Sequence, residues 1–330
     1  MIMRMKLKYI FIFPPLFVLT ACGAKSRQEQ QTVTADTTDL IRQRSYTASD
    51  RKMTASDTLP TYVDRFSKAD SMLVCRILRE TVPLRRRLSH GQLILKVARI
   101  FVGTPYVAHT LDRNTDEKLV VNLHGLDCTT FIETVTALVL CIERDEIRFS
   151  DFVHQLEQIR YRGGKTGYLN RLHYFHWWLE DNVRMGFIAE INTPVPPFTA
   201  VQTLKINYMT LNAPAYDMLK NSPERVAGLK KLEDASNGTR IRYIPKSQLG
   251  NSGLLKTVVR DGDIIAIVTS KRELDTTHLG FAVWHRDGLH MLNASSLEQN
   301  GRQVIEPVET FYHYMMSHPS SIGIRIARIR

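Results

Sequence analysis

The chain has 330 residues and carries 44 Lys and Arg against 33 Asp and Glu, a formal net charge of +11. Basic charge scattered in this way is most often a solvated surface, but it also suits a polyanionic surface or a carboxylate-bearing substrate. Nucleic acid is the other usual partner of a basic protein. We expect no nucleic acid partner here, because the N-terminal residues indicate export.

Residues 1–22 have the pattern of a bacterial lipoprotein signal peptide. Three basic residues precede an apolar run at residues 9–18, which is too short for a membrane span of about 20 residues. The sequence Leu19-Thr20-Ala21-Cys22 then resembles a lipobox, whose cysteine becomes the lipidated first residue of the mature chain. The alternative is an ordinary cleaved signal with a chance cysteine. We expect a lipid anchor at Cys22 and a periplasm-facing protein of the bacterial cell envelope.

Residues 23–60 are rich in Gln, Thr, Ser, Asp and Arg and contain few large apolar residues. Such a segment cannot bury enough apolar surface to offset the entropy lost on ordering, so it is predicted to be a disordered tether. Residues 61–330 form the predicted folded part, whose length suits one large domain or two small ones. Removal of the three signal-peptide cations leaves the mature chain near 11 − 3 = +8.

Hydrophobic periodicity predicts four helices, over residues 69–80, 91–101, 150–160 and 171–185. A fifth and stronger one follows Cys128, where apolar residues recur at 131, 132, 135, 138, 139 and 142. Strands are predicted over 263–269, 278–284 and 289–294, with a turn at 286–288 between the last two. Residues 190–255 are mixed in character and include Pro194, Pro196, Pro197 and Pro214, and no order of elements is predicted for them. Helices followed by a sheet indicate an α+β fold.

Four cysteines have to be assigned. Beyond Cys22, the three remaining ones are an odd number in an oxidising compartment. Cys128 and Cys141 share one predicted helix and lie about 20 Å apart, too far for a disulfide. At least one thiol is therefore free. Cys75 and Cys141 lie among apolar residues and are predicted to be inert core cysteines.

Cys128 is the predicted nucleophile. It begins a helix, where the positive end of the dipole and unpaired amides should lower the thiol pKa and receive an oxyanion. Acyl transfer needs such a nucleophile and a base. His278 begins a strand about 150 residues later, which is the papain-like order of cysteine and histidine. Asn293 on the next strand could orient the imidazole.

The pairing of His278 with Asn293 depends on the hairpin between them. A two-residue turn at 287–288 would offset the two residues by four positions, about 13 Å, which is too far for contact. Either the centre of the loop lies earlier, or Asn293 is structural.

Several motifs together carry a family resemblance. Gly-Leu-Asp-Cys-Thr-Thr-Phe-Ile-Glu (125–133), Thr-His-Leu-Gly-Phe-Ala (277–282) and Leu-Asn-Ala-Ser-Ser (292–296) resemble the NlpC-type cell-wall cysteine amidases, and Gly-Thr-Pro-Tyr (103–106) matches upstream. Asp-Cys-Thr-Thr-Phe and Arg171-Leu-His-Tyr174 resemble one branch, formerly a domain of unknown function, with N-acetylmuramoyl-L-alanine amidase activity. The resemblance covers roughly residues 90–300, and the motifs are specific in combination.

The resemblance implies a papain-like NlpC-type core, with the nucleophile at a helix N-terminus packed on an antiparallel sheet, plus helical additions. Residues 61–330 would be a cysteine amidase domain that cleaves peptidoglycan fragments between N-acetylmuramic acid, in ordinary or anhydro form, and L-Ala. It implies an acyl-enzyme at Cys128 and no metal or other cofactor.

The resemblance also implies further site residues. Tyr106 would lie beside the nucleophile, and Asp127 would shape the substrate pocket. Arg171 and His173 would contact substrate, although they could equally stabilise a helix junction. The superfamily often has His at the position of Asn293, and Asn can fill the same role by hydrogen bonding.

Three functions stay open on the sequence. The first is the muramoyl-L-alanine amidase, the second is an endopeptidase that cleaves between γ-D-Glu and diaminopimelate, and the third is a non-catalytic lipoprotein that binds wall fragments. A zinc amidase that uses His173 and His176 is a rival mechanism, but no third ligand is spaced nearby.

Overall fold

The computed structural model describes residues 63–330, and the side chains from residue 66 onward. The predicted signal peptide, the lipidation site Cys22 and the whole predicted tether lie outside the described residues. The helices are α1 (Lys68–Thr81), α2 (His90–Arg99), α3 (Cys128–Glu143), α4 (Phe149–Arg160), α5 (Phe175–Arg184), α6 (Tyr208–Leu211), α7 (Pro223–Ser236), α8 (Ser252–Leu255) and α9 (Phe311–Ser317).

The strands are β1 (Val63–Arg65), β2 (Leu119–Val120), β3 (Ile188–Ile191), β4 (Ala200–Thr203), β5 (Arg240–Pro245), β6 (Ile264–Thr269), β7 (Thr276–Trp284), β8 (Leu289–Ala294), β9 (Val304–Ile305) and β10 (Ser321–Ile329). β1 and β2 form a small parallel pair. No helix within residues 63–330 has both the length and the apolar character to cross a membrane.

Eight strands form one sheet, whose order is β4-β5-β10-β6-β7-β8-β9, with β3 added along the second half of β10. Every pairing in this sheet is antiparallel. β10 therefore joins the strands from residues 188–245 to the strands that follow residue 263. Gly323 allows this junction, because a Cβ there would lie 2.2 Å from the carbonyl oxygen of Ile244 on β5.

Helix α3 is the central helix of the core. All of its residues from Thr130 to Ile142 are buried, because α1, α2 and α4 contact it on one side and β7 and β8 on the other. The ring of Phe131 lies 6.3 Å from that of Phe101 and 5.5 Å from that of Phe281, both in edge-on geometry. Burial of each such side chain stabilises the fold by roughly 1.5–3 kcal/mol. The N-terminus of α3 is therefore held firmly against the sheet.

The α+β prediction is confirmed, and most predicted elements agree with the structure within two residues. The helix predicted over 171–185 is wrong at its start, because α5 begins at Phe175. Arg171 instead has extended backbone angles and forms an isolated bridge with Tyr161. Its side chain is held by carboxylates on a preceding loop, so this turn is set by tertiary contacts that periodicity does not detect.

Residues 190–255, for which no order of elements was predicted, complete the sheet and form one wall of a cleft. β3, β4 and β5 extend the sheet beyond β10, and α7 begins at a Ser222 cap followed by Pro223. Tyr174 donates a 2.7 Å hydrogen bond to Glu233 on α7 and accepts one from the amide of Met209. These bonds hold the segment that carries Tyr208 and Met209 against α5.

Candidate active site

A capping box fixes the first turn of α3. Asp127 is the N-cap residue, and its Oδ1 accepts bonds of 2.8 Å from the amide and from the hydroxyl of Thr130. The hydroxyl of Thr130 in turn accepts from the amide of Asp127 at 2.9 Å. This cap is typical of a helix start and contributes about 1 kcal/mol. It leaves the amides of Cys128 and Thr129 directed out of the helix end.

The sulfur of Cys128 is the first reactive atom of the site. Burial in the cleft, together with a smaller effect of the charge of Asp127, raises the pKa of the Cys128 thiol to about 12. Hydrogen bonds from the amide of Leu279, the hydroxyl of Thr129 and the amide of Cys128 itself oppose that rise. The prediction of a lowered thiol pKa is therefore wrong, because desolvation outweighs the helix N-terminus. The resting group is a neutral thiol, which would need a base to take its proton before it could act as a nucleophile.

β7 carries the predicted base, His278, which directly precedes Leu279, the residue whose amide hydrogen-bonds to Cys128. His278 and Cys128 both line the same cleft. The Nε2 atom of His278 lies 2.9 Å from Oδ1 of Asn293 on β8. The strand register explains this contact: Trp284 pairs with Leu289, so the loop spans residues 285–288 and its centre lies earlier than residues 287–288.

This register offsets His278 and Asn293 by two positions, a diagonal pair that long side chains can bridge. The amide group of Asn293 also donates a 2.8 Å bond to the carbonyl of Met291, so its oxygen faces the imidazole. His278 therefore carries its proton on Nε2, which leaves Nδ1 as the acceptor. Burial lowers the pKa of His278, although the bond to Asn293 opposes that shift. The imidazole is neutral at neutral pH, as a general base must be.

The cleft around these residues has a volume of about 400 Å³. Tyr106 lines it, where the chain from 105 to 107 pairs with Leu126 and with residues 302–303. Burial, followed by the nearby charges of Cys128 and Asp127, raises the pKa of the Tyr106 phenol. Tyr106 and Cys128 thus line the same cleft, and the Tyr106 phenol remains a protonated donor. Its role in substrate binding stays a prediction.

Arg171 and His173 also line the cleft, but their polar atoms bind within the protein. Arg171 is buried and forms ion pairs with Asp112 and, at 3.5 Å, with Glu117. His173 contacts the carbonyl of Tyr168 at 2.9 Å, and burial lowers its pKa to about 3. Substrate contact by Arg171 and His173 stays a prediction, and these contacts favour the structural alternative.

Asp127 both lines the cleft and caps helix α3. It lines the cleft, as the resemblance implied, but both of its described bonds go to Thr130. The shaping of a substrate pocket by Asp127 stays a prediction, and these bonds fix the first turn of α3.

Several lining residues were not predicted from the sequence. The amide of Leu279 leaves no signal in a sequence, because every residue other than proline carries one. Tyr208 and Tyr216 lie within the segment that was left unordered, and Asp112 lies in a polar loop. The available sequence signal for Tyr208 and Tyr216 as cleft residues was their spacing: two tyrosines lie eight residues apart in a segment that contains proline.

A zinc site receives no support from the described residues. His173 is bound to Tyr168, and the backbone amide of His176 donates to Asp275 at 2.6 Å. From residue 63 to the last residue, no three His, Cys, Asp or Glu side chains are grouped so that they could hold a metal ion.

Comparison with known proteins agrees with this geometry. A family model described as AmiA-like, N-acetylmuramoyl-L-alanine amidase-like, matches residues 96–324. The chain belongs to the AmiA-like family. A search of curated proteins finds no match.

Solved structures extend the likeness of this AmiA-like chain. An N-acetylmuramoyl-L-alanine amidase from Bacteroides uniformis is 35% identical, with a TM-score of 0.68 over 73% of this chain and 99% of that one. A Bacteroides fragilis protein provisionally named a xylanase is 37% identical, with a TM-score of 0.66 over 71% of this chain and 100% of its own. A Legionella pneumophila protein of the DUF1460 family, 23% identical with a TM-score of 0.61 over 80% and 97% of the two chains, shares the fold.

Proposed function

We propose that the protein is a cysteine-dependent N-acetylmuramoyl-L-alanine amidase, which cleaves peptidoglycan fragments between N-acetylmuramic acid, in ordinary or anhydro form, and L-Ala. The observation that carries the proposal is that one cleft is lined by Cys128, at the start of α3, and by His278, whose imidazole is bound to Asn293. The family and its Bacteroides uniformis relative support the choice of bond.

The mechanism follows from these positions. Nδ1 of His278 takes the thiol proton while the Cys128 sulfur attacks the lactyl carbonyl carbon of the muramic acid. The amides of Cys128 and Thr129 face the developing oxyanion. His278 then gives its proton to the L-Ala nitrogen as the C–N bond breaks, which leaves a thioester on Cys128. Water loses a proton to His278 and attacks the thioester carbonyl. The C–S bond breaks, His278 returns that proton to the Cys128 sulfur, and the lactyl group leaves as a carboxylate whose proton goes to solvent.

The same nucleophile could attack other acyl groups, so the scissile bond needs a direct test. The protein is incubated with a disaccharide-tetrapeptide and the products are weighed by mass spectrometry. We expect free disaccharide and intact tetrapeptide. A disaccharide-dipeptide would instead identify a γ-D-glutamyl-diaminopimelate endopeptidase. Cys128→Ala is the negative control, and Cys75→Ala is its matched control at a cysteine outside the cleft.

A non-catalytic lipoprotein that binds wall fragments is the remaining alternative. A substrate-directed electrophile, such as a muramoyl-peptide carrying a chloromethyl ketone, should label Cys128 near neutral pH. Labelling that is lost in the His278→Ala variant indicates a working base. A chain that binds the same muropeptide but acquires no label would be a binding protein.

The provisional name of the Bacteroides fragilis relative suggests glycoside hydrolysis as an alternative reaction. That reaction uses two carboxyl groups, one on each side of the scissile bond. Four carboxylates line the cleft, and each has an internal partner. Asp112 binds Arg171, Asp127 caps α3, Glu133 binds Arg160 at 2.7 Å, and Asp275 accepts the amides of His176 and Thr276. Cysteine chemistry therefore suits this cleft better than paired carboxylates.

The proposal includes the setting of the enzyme. The NlpC-type, papain-like placement is supported by a nucleophilic cysteine on a helix and a histidine later on a strand. Lipidation at Cys22 and a periplasm-facing position are supported by the lipobox-like sequence. Replacement of Cys22 by Ser should move the full-length protein from the membrane fraction to the soluble fraction. A membrane fraction that the substitution does not change would contradict the anchor.

A further inference from the structure

A second concave surface lies on α1, and we name it the α1 groove. Its volume is about 1120 Å³, compared with about 400 Å³ for the cleft. It lies between the exposed side of α1 and the start of α4, and none of its lining residues lines the cleft. The proposed mechanism does not use any residue of this groove.

The α1 groove exposes apolar side chains. Met72 on α1 is 62% exposed, and Phe66, just before the helix, is 36% exposed. The ring of Phe66 lies 5.0 Å from that of Phe149 at the start of α4, so it forms a side of the groove. Apolar groups grouped in this way on a surface commonly mark a binding face.

Basic residues stand beside this apolar surface. Arg76 and Arg79 line the groove and follow Met72 by four and seven positions, so all three share one face of α1. Both arginines are exposed, as are Arg86 and Arg87 shortly after the helix. The groove therefore joins an apolar surface to a row of guanidinium groups, with Glu80 as the one acidic residue in its lining.

We propose that the α1 groove binds anionic phospholipid headgroups at a membrane surface. Apolar side chains beside arginines are the chemistry of an interfacial face, because the arginines bind phosphate while the apolar groups enter the headgroup layer. This surface acts independently of the cleavage reaction.

The position of the groove in the chain also favours a membrane. The first described strand begins at Val63, three residues before Phe66, so residues 23–62 connect this face directly to Cys22. A lipid at Cys22 would keep the groove at a high local concentration of headgroups. Residues 23–62 themselves carry six basic and five acidic residues, a net charge of 6 − 5 = +1, and so do not complement a basic groove.

The test measures co-sedimentation of the full mature chain with vesicles. Cys22→Ser removes the lipid, so that any binding comes from the protein surface. We expect binding to vesicles of phosphatidylglycerol and phosphatidylcholine in equal parts, and much weaker binding to phosphatidylcholine alone. Added salt should weaken binding, because it screens exposed charges. The double change Arg76→Gln and Arg79→Gln should lower the partition coefficient about 30-fold.

A matched double variant controls for net charge. Arg240 and Arg272 are exposed and lie outside the groove, so Arg240→Gln with Arg272→Gln should leave binding within about twofold. Met72→Ser should lower binding to the anionic vesicles by about fivefold. Equal loss in both double variants, equal binding to both vesicle types, or no binding at all would overturn the proposal. So would arginine-dependent binding to isolated wall sacculi without binding to vesicles.

Hydrolysis of soluble muropeptides separates this proposal from the proposed function. Arg76 and Arg79 lie outside the cleft, so their double variant should cleave a disaccharide-tetrapeptide at the unchanged rate. An inactive wild-type chain that still binds anionic vesicles would remove the amidase proposal and leave the membrane surface standing.

Discussion

Two groups of polar residues line the same cleft, and they differ in what their reactive atoms contact. On one side, Cys128 and His278 line the cleft, and only Nε2 of the His278 ring is bound to a described side chain, that of Asn293. On the other side, the guanidinium group of Arg171 forms ion pairs with Asp112 and Glu117. Position beside a cleft therefore does not define a catalytic or binding group. A catalytic or binding group also needs a reactive atom that no other protein group binds.

The largest effect that this comparison predicts is on Cys128. Cys128→Ala should lower kcat/KM by at least about 10⁴-fold, because the nucleophile of a covalent mechanism has no substitute. The free energy of unfolding should change little, since the side chain is only half-buried. Kinetics on a disaccharide-tetrapeptide and a urea titration measure the two quantities. Cys75→Ala should retain activity, and a Cys128→Ala enzyme that keeps a tenth of the rate or more would refute the mechanism.

The second prediction concerns the paired side of the cleft. Arg171→Gln should lower the free energy of unfolding by about 3–5 kcal/mol, because it leaves Asp112 and Glu117 without their charge partner. Lys230→Gln, at an exposed pair with Asp234, should cost less than about 1 kcal/mol. Urea titration gives both values. An unchanged unfolding midpoint combined with a raised KM would show that Arg171 binds substrate after all.

A smaller effect on kcat is expected from a change at Asn293, which contacts the His278 ring. Asn293→Ala should lower kcat by about 10²-fold, because His278 loses the bond that orients its ring and keeps its proton on Nε2. That bond also raises the pKa of His278, so its loss should move the acid limb of the pH profile to lower pH. Asn300→Ala, in a neighbouring loop, is the control and should leave both quantities unchanged. A change in KM alone would indicate that Asn293 contacts substrate instead.

The smallest effect concerns pH. Since burial lowers the pKa of His278 from its usual value near 6.5, the base stays neutral at neutral pH and becomes protonated, and therefore inactive, only when the pH falls below that lowered pKa. Between about pH 7 and about pH 8, kcat/KM should change by less than about twofold. Because the Cys128 thiol has a pKa of about 12, alkylation by iodoacetamide should accelerate steadily above neutral pH. An alkylation rate that stays constant from about pH 5 to about pH 8 would indicate a preformed thiolate–imidazolium pair.

Much of the fold could be predicted because its signals are local. The apolar positions after Cys128 repeat at helical spacing, and α3 is a buried helix that begins at that residue. The runs that become β6, β7 and β8 are short, apolar and bounded by turn residues, as a buried hairpin requires. β10 and the strands from residue 188 to residue 245 were not predicted, because their pairing connects segments far apart in the chain.

The amino-acid sequence by itself determined the order of the site: a cysteine at a helix start, a histidine on a later strand and an asparagine on the next one. It determined this order because the signals for a helix start, a helix, a strand and a turn each span only a few neighbouring residues. Only the tertiary structure decided the hairpin register that brings Asn293 to His278, the contact of the Leu279 amide with Cys128, and the pairing of Arg171 with Asp112. It also reversed the expected direction of the Cys128 pKa, because desolvation depends on everything that packs around the sulfur and not on its neighbours in the chain.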